Sequence, residues 1–133
     1  MREGLVPGTT GEIQIVVTSD MIARFDELGT VHPVYSTWTM IKHMEEASRK
    51  VILPFLEEHE EGVGHAVDVV HLAPAAVGAR VTVRAVLERV DGNRIHTRVE
   101  ALSGRGTIGE GRMVQVVLPR ARLQERFRDA GAP

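Results

Sequence analysis

One stretch limits the possible folds more than any other. From Thr37 to Phe55, apolar side chains recur at Ile41, Met44, Ala47, Val51 and Phe55, three to four residues apart. Lys42, Glu46, Arg49 and Lys50 fall on the other side, so the spacing predicts an amphipathic helix of about five turns. Ser36 or Thr37 suits its N-cap, and Pro54 weakens its last turns. One helix with one apolar stripe requires an apolar surface to cover that stripe. With 133 residues, 43% of them hydrophobic, the chain has material for one domain spanning 1–133. Its core is expected over about 11–118, followed by a basic tail over 119–133 that could form a short helix.

Most of the remaining chain alternates with the two-residue period of half-buried strands. Ile13, Ile15 and Val17 alternate with Glu12, Gln14 and Val16, and after Gly64 the series His65, Val67, Val69, His71 runs until Pro74. Val81, Val83, Ala85 and Leu87 form a third series, and Asp91-Gly92-Asn93 reads as a hairpin turn into Ile95, Thr97 and Val99. A last strand runs from about Ile108 to Leu118. Between the first strand and the helix, Asp20 to Leu28 reads as a short helix stopped by Gly29, followed by a loop at Thr30-Val31-His32-Pro33. The acidic run Glu57, Glu58, Glu60, Glu61 reads as a solvated loop. Short turns between successive strands favour antiparallel pairing, so the class is α+β. About five antiparallel strands curved around one long helix make the hot-dog architecture.

Composition removes several chemistries. There is no cysteine, which excludes disulfides, thiolate metal sites and a cysteine nucleophile. Sixteen basic against eighteen acidic residues give no general attraction to nucleic acid. No apolar run approaches the roughly 18 residues of a membrane span, and the first residues lack a signal-peptide core, so a cytoplasmic protein is expected. His59, His65 and His71 are spaced unlike any compact ligand motif, so no metal is expected. Phosphate loops, dinucleotide fingerprints and the Gly-x-Ser-x-Gly elbow are absent from the sequence.

Three residues are better placed for catalysis. Glu45 lies one residue beyond Met44, beside the apolar stripe, whereas Glu46 falls on the lysine and arginine face. A carboxylate at that border is either a snorkelling surface group or one held for chemistry. His71 ends a strand whose same-face neighbours are Val67 and Val69, so its ring is expected to face the helix layer. Thr37 stands at the helix start, where a hydroxyl most simply caps.

Val34-Tyr35-Ser36-Thr37, Met40, Met44-Glu45 with Ala47, then Gly64 and Val70-His71, resemble the fluoroacetyl-CoA thioesterase family of hot-dog enzymes from about Gly29 to Leu118. The resemblance implies catalytic roles for Thr37, Glu45 and His71. It also implies an acyl pocket beside Gly64, with Tyr35, Trp38 and Gln115 as further substrate-binding candidates. Two departures bear on fluoroacetyl specificity: Gln115 stands near an arginine of the family's fluorinated-acyl pocket, and Trp38 stands where a small residue leaves more room.

The implied reaction is hydrolysis of a small acyl-CoA, with no cofactor beyond the coenzyme A of the substrate. Glu45 would attack the carbonyl or act as general base on water, His71 would protonate the departing thiolate, and Thr37 would hydrogen-bond carboxylate or substrate. A homodimer is expected, with the site at the subunit boundary and Glu45 and His71 drawn from different subunits. Arg80, Arg84, Arg98 and the basic tail are candidates for the CoA phosphates. The rival readings are a hot-dog enoyl-CoA hydratase, whose Asp-x-x-x-x-His segment is missing, and a non-catalytic acyl-ligand-binding module.

Overall fold

The computed structural model describes residues 1–104 and 106–131. Strand β1 (Thr10–Val16) leads through a 3₁₀ turn at Ser19–Met21 into a hairpin, β2 (Ile22–Phe25) and β3 (Gly29–Tyr35). Helix α1 (Thr37–Ile52) follows, then β4 (Glu60–His71), β5 (Arg80–Asp91), β6 (Arg94–Ser103), β7 (Gly106–Pro119) and helix α2 (Arg120–Asp129). The main sheet has the order β1-β5-β6-β7-β4 with every neighbouring pair antiparallel, so β1 and β4 are its edges. This is the α+β hot-dog arrangement that the strand and helix patterns predict.

The core lies between α1 and the inner sheet face. Met40, Met44, Ala47, Val51 and Ile52 are fully buried against Ile13, Val83, Ala85, Val99 and Ala101. Covering each larger side chain in that stripe contributes about 1.5–3 kcal/mol. Ser48, also buried on this face, reaches Thr97 across the interface at 3.0 Å, and Thr97 Oγ1 also lies 3.4 Å from the Met113 carbonyl, so both buried hydroxyls are partnered. A Cβ at Gly11 would run into the Ala47 carbonyl, so glycine there lets β1 close onto the helix. No helix among the described residues is long and apolar enough to cross a membrane.

Three segments depart from the sequence reading. The residues expected to form a helix over Asp20 to Leu28, and the loop at Thr30 to Pro33, instead form the β2–β3 hairpin. Gly29, at φ +73°, makes the turn, and Arg24 Nε donates to Thr30 Oγ1 at 3.1 Å across it. Cross-strand pairing, which a local pattern does not display, thereby overrides a weak helical periodicity. Helix α1 ends at Ile52, and Leu53–Phe55 tightens to a 3₁₀ turn around Pro54, as the missing proline N–H requires. Only the first half of the acidic run, Glu57 and Glu58, lies in a loop, because Glu60 and Glu61 begin β4. Glu61 is clamped by Arg49 at 2.8 Å and Arg120 at 3.1 Å, which ties α1 and α2 to the edge strand.

Candidate active site

The N-terminus of α1 sets the first half of the site. Ser36 is the N-cap, its Oγ accepting from the Thr39 N–H at 3.2 Å. Capping is therefore complete without Thr37, whose hydroxyl is free to turn toward β4 and meets His71 Nδ1 at 2.8 Å. His71 is held at the end of β4 opposite Gly109 of β7, and its Nε2 is buried without a protein partner. The ring thus faces the helix layer as the strand pattern implies.

Glu45 forms the second half. The side chain is exposed and, among the described residues, makes no hydrogen bond or ion pair. Its Oε1 occupies the space that a Cβ at residue 64 would fill, so Gly64 provides a notch for the carboxylate. One helical turn further on, Arg49 donates to the Gly62 carbonyl at 2.7 Å. Helix α1 and strand β4 consequently run past each other in opposite directions, with Thr37 beside His71, Glu45 beside Gly64 and Arg49 beside Gly62. Thr37 and Glu45 lie more than two turns apart, about 12 Å along the axis at ~1.5 Å per residue. Within one chain the fold brings Thr37 to His71 and Glu45 to Gly64, but not the two pairs to each other.

The Thr37–His71 pair opens on a cavity of about 460 Å³ lined mainly by apolar groups, among them Phe25, Val31, Val34 and Trp38. The β2–β3 hairpin forms one wall, which gives functional weight to a segment the sequence leaves poorly defined. Phe25 and Trp38 pack with ring centroids 4.8 Å apart, so the hairpin is held against the helix start by an aromatic contact.

Two further expectations concern substrate-binding residues. Tyr35 lines the cavity but is 1% exposed, and its hydroxyl meets His43 Nδ1 at 2.5 Å. Burial pushes the Tyr35 phenol above its ordinary range. Burial likewise holds His43 below the usual imidazole range, opposed by the Glu46 charge and assisted by Lys42. His43 has no part in the sequence reading, although its position on the Met40, Met44, Ala47 face marks it as inward. Gln115 is 1% exposed beneath the middle of α1, where its Nε2 donates to the Ser48 carbonyl at 2.9 Å. Its place in the alternation Met113, Gln115, Val117 predicts that inward direction.

Comparison with known proteins places this geometry. The FlK family model, described as fluoroacetyl-CoA-specific thioesterase, matches residues 17–121. A fluoroacetyl-CoA thioesterase from Streptantibioticus cattleyicolor is 35% identical, with 96% of each chain covered. A Thermus thermophilus hypothetical protein of the thioesterase superfamily superposes with a TM-score of 0.93 at 50% identity, covering 96% of this chain and 94% of that one. A variant of fluoroacetyl-CoA thioesterase solved with acetyl-CoA gives a TM-score of 0.89 at 28% identity, covering 96% of this chain and 99% of that one. The matched region contains both halves of the site, from the hairpin through Thr37, Glu45 and Gly64 to His71. By sequence and by fold, the chain belongs to the fluoroacetyl-CoA-specific thioesterase family and is a thioester hydrolase.

Proposed function

We propose that the substrate is a small acyl-CoA and that Glu45, Thr37 and His71 carry its hydrolysis to free acid and CoA. The observation that carries this reading is the Thr37–His71 hydrogen bond at the mouth of an apolar cavity. A thioester carbonyl needs an oxygen nucleophile, and among the described residues no cation pairs with the exposed Glu45 carboxylate. Glu45 either adds to the carbonyl, giving an anhydride that water then opens, or removes a proton from the attacking water. In both routes the carbon–sulfur bond breaks and His71 delivers a proton to the departing thiolate. The Thr37 hydroxyl fixes the imidazole orientation through Nδ1, and backbone N–H groups at the α1 start oppose the developing oxyanion.

The separation of Glu45 from the Thr37–His71 pair supports a site completed by a second copy. Two α1 helices lying side by side in opposite directions would bring Glu45 of one subunit toward Thr37 and His71 of the other. The outer edge of β4, with Val67 and Val70 exposed on that strand, is the natural seam for such a homodimer. A relative's complex with acetyl-CoA supports an acyl group of that size. The expected partners are thus the acyl-CoA and a second copy of the chain, without nucleic acid, membrane or added cofactor, in the cytoplasm.

Thiol release from a panel of short, branched, aromatic and fluorinated acyl-CoAs tests the proposal, with Glu45→Gln as the control. The variant should lose about 100-fold or more in kcat, the scale of losing a general base. Undiminished thiol release in Glu45→Gln would remove Glu45 from the mechanism.

A further inference from the structure

One residue separates β3 from α1. Tyr35 ends the strand, Thr37 begins the helix, and the change of direction falls on Ser36, at φ −75° and ψ 150°. Backbone bonds fix the strand side of this turn: the Tyr35 N–H donates to the Ala75 carbonyl at 2.9 Å, and the Ser36 N–H to the Met21 carbonyl at 2.8 Å. On the helix side, His43 lies in the second turn and is 6% exposed. The Tyr35 hydroxyl reaches over the turn to His43 Nδ1, and among the described residues this is the one side-chain hydrogen bond that joins β3 to α1. The two rings lie nearly parallel, with centroids 5.7 Å apart and 17° between their planes. Burial keeps the phenol protonated and the imidazole neutral, so the phenol donates its proton to Nδ1 without placing a charge in the core.

Packing alone does not call for a polar pair at this depth. Apolar side chains of similar shape would fill the space with little change in stability, whereas a hydrogen bond adds direction to the contact. What it directs is the angle between strand and helix at Ser36, and the Thr37–His71 bond depends on that angle. Thr37 stands on the helix side of the turn, while His71, 2.8 Å from its hydroxyl, stands on β4. A small pivot at Ser36 would swing the Thr37 hydroxyl off Nδ1, because a hydrogen bond weakens steeply once distance and angle depart from their optimum. We propose that Tyr35 and His43 form a positioning pair for catalysis, a cross-brace that holds the Thr37 hydroxyl on His71 Nδ1. This assignment rests on the roles proposed above for Thr37 and His71, and the pair acts through Thr37. It also gives Tyr35 a duty other than the substrate binding implied by the family resemblance: the ring lines the cavity, but the hydroxyl is committed to His43.

The decisive variant is Tyr35→Phe/His43→Leu, which removes both polar groups at once and so leaves no buried partner unpaired. Its urea midpoint should stay close to wild type, while kcat on acetyl-CoA falls about tenfold, the rate equivalent of one ordering hydrogen bond, with KM little changed. That loss should vanish in a Thr37→Val background, because a brace acting through Thr37 then has nothing left to hold. His43→Asn, whose amide oxygen offers Tyr35 an acceptor, should keep most of the activity. A second readout needs no turnover: NMR of protein labelled with heavy nitrogen at histidine, with His71 assigned by comparison with His71→Asn. The wild-type imidazole should show one tautomer, and the double variant, like Thr37→Val, a mixture. Losses that multiply in the Thr37→Val background, a His71 tautomer that the double variant leaves unmixed, or a large drop in its urea midpoint would overturn the brace. Tautomer mixing in the variant of a protein that hydrolyses no acyl-CoA would uphold the brace and reject the hydrolytic reading.

Discussion

Glu45 and Gly64 are fitted to each other: the carboxylate oxygen of one fills the space where any side chain on the other would begin. Gly64→Ala must therefore displace the Glu45 side chain while leaving the strand itself intact. A shift of about 1 Å at a reacting group costs on the order of 100-fold in rate. The expected result is a kcat lowered by about that factor with Tm nearly unchanged. Because both changes act on one group, Gly64→Ala combined with Glu45→Gln should be little worse than Glu45→Gln alone, and a thioesterase assay on the three variants checks this. Multiplicative losses would show that Gly64 acts independently of Glu45.

Ser36 and Thr37 are adjacent hydroxyls with separable duties. Ser36→Ala removes the cap and should cost about 1 kcal/mol of stability, measured by urea unfolding. Thr37→Val should leave stability much closer to wild type but deprive His71 Nδ1 of its partner, lowering kcat by roughly tenfold or more. Thr37→Ser, which keeps the hydroxyl, should recover most of that loss. If Thr37→Val were the more destabilising change, the division of roles would be wrong.

Stability should weaken in acid through Glu61. The hydrogen bond from Arg49 holds its carboxyl below the ordinary value of 4.5, with help from the Gly62 N–H and the charges of Arg49 and Arg120. A depressed folded-state pKa means that the stabilisation is complete above about 4.5 and is lost as pH falls through the folded value. Glu61→Gln should lower stability at neutral pH and flatten its decline in acid. Urea midpoints measured from pH 7 down to pH 3 test this, and parallel profiles for the two proteins would argue against it.

Trp38 and Phe25 bound the cavity beside Thr37. Trp38→Ala enlarges the space and releases the hairpin, so activity should shift toward bulkier acyl groups. The ratio of kcat/KM for butyryl-CoA to acetyl-CoA should rise by about tenfold, within the range that one or two methylenes command in an apolar pocket. An unaltered ratio would place the acyl group elsewhere.

The helix and the strands of the main sheet were legible because each repeats a local period, as at Met40, Met44, Ala47 and Val51. The placement of Thr37, Glu45 and His71 on the start of a helix, its border and the end of a strand followed from the same periods. What stayed hidden depends on partners distant in sequence. The β2–β3 hairpin is defined by pairings such as Ile22 with Tyr35, and Glu61 is drawn into β4 by Arg49 and Arg120. That Ser36 rather than Thr37 caps the helix, freeing the Thr37 hydroxyl, follows from local bond geometry that two neighbouring hydroxyl residues do not reveal. The Tyr35–His43 pair was missed because a histidine on an apolar face signals burial without signalling its partner.

The opposed run of α1 and β4 also limits how this chain can vary in length. Thr37, Glu45 and Arg49 each meet a fixed position on the strand, so the helix acts as a ruler. Inserting or deleting one residue between them would rotate everything beyond by ~100° and carry Glu45 or Arg49 off its mark. Length changes are therefore excluded from Thr37 to Arg49 and are confined to connections outside it, such as the segment between β4 and β5.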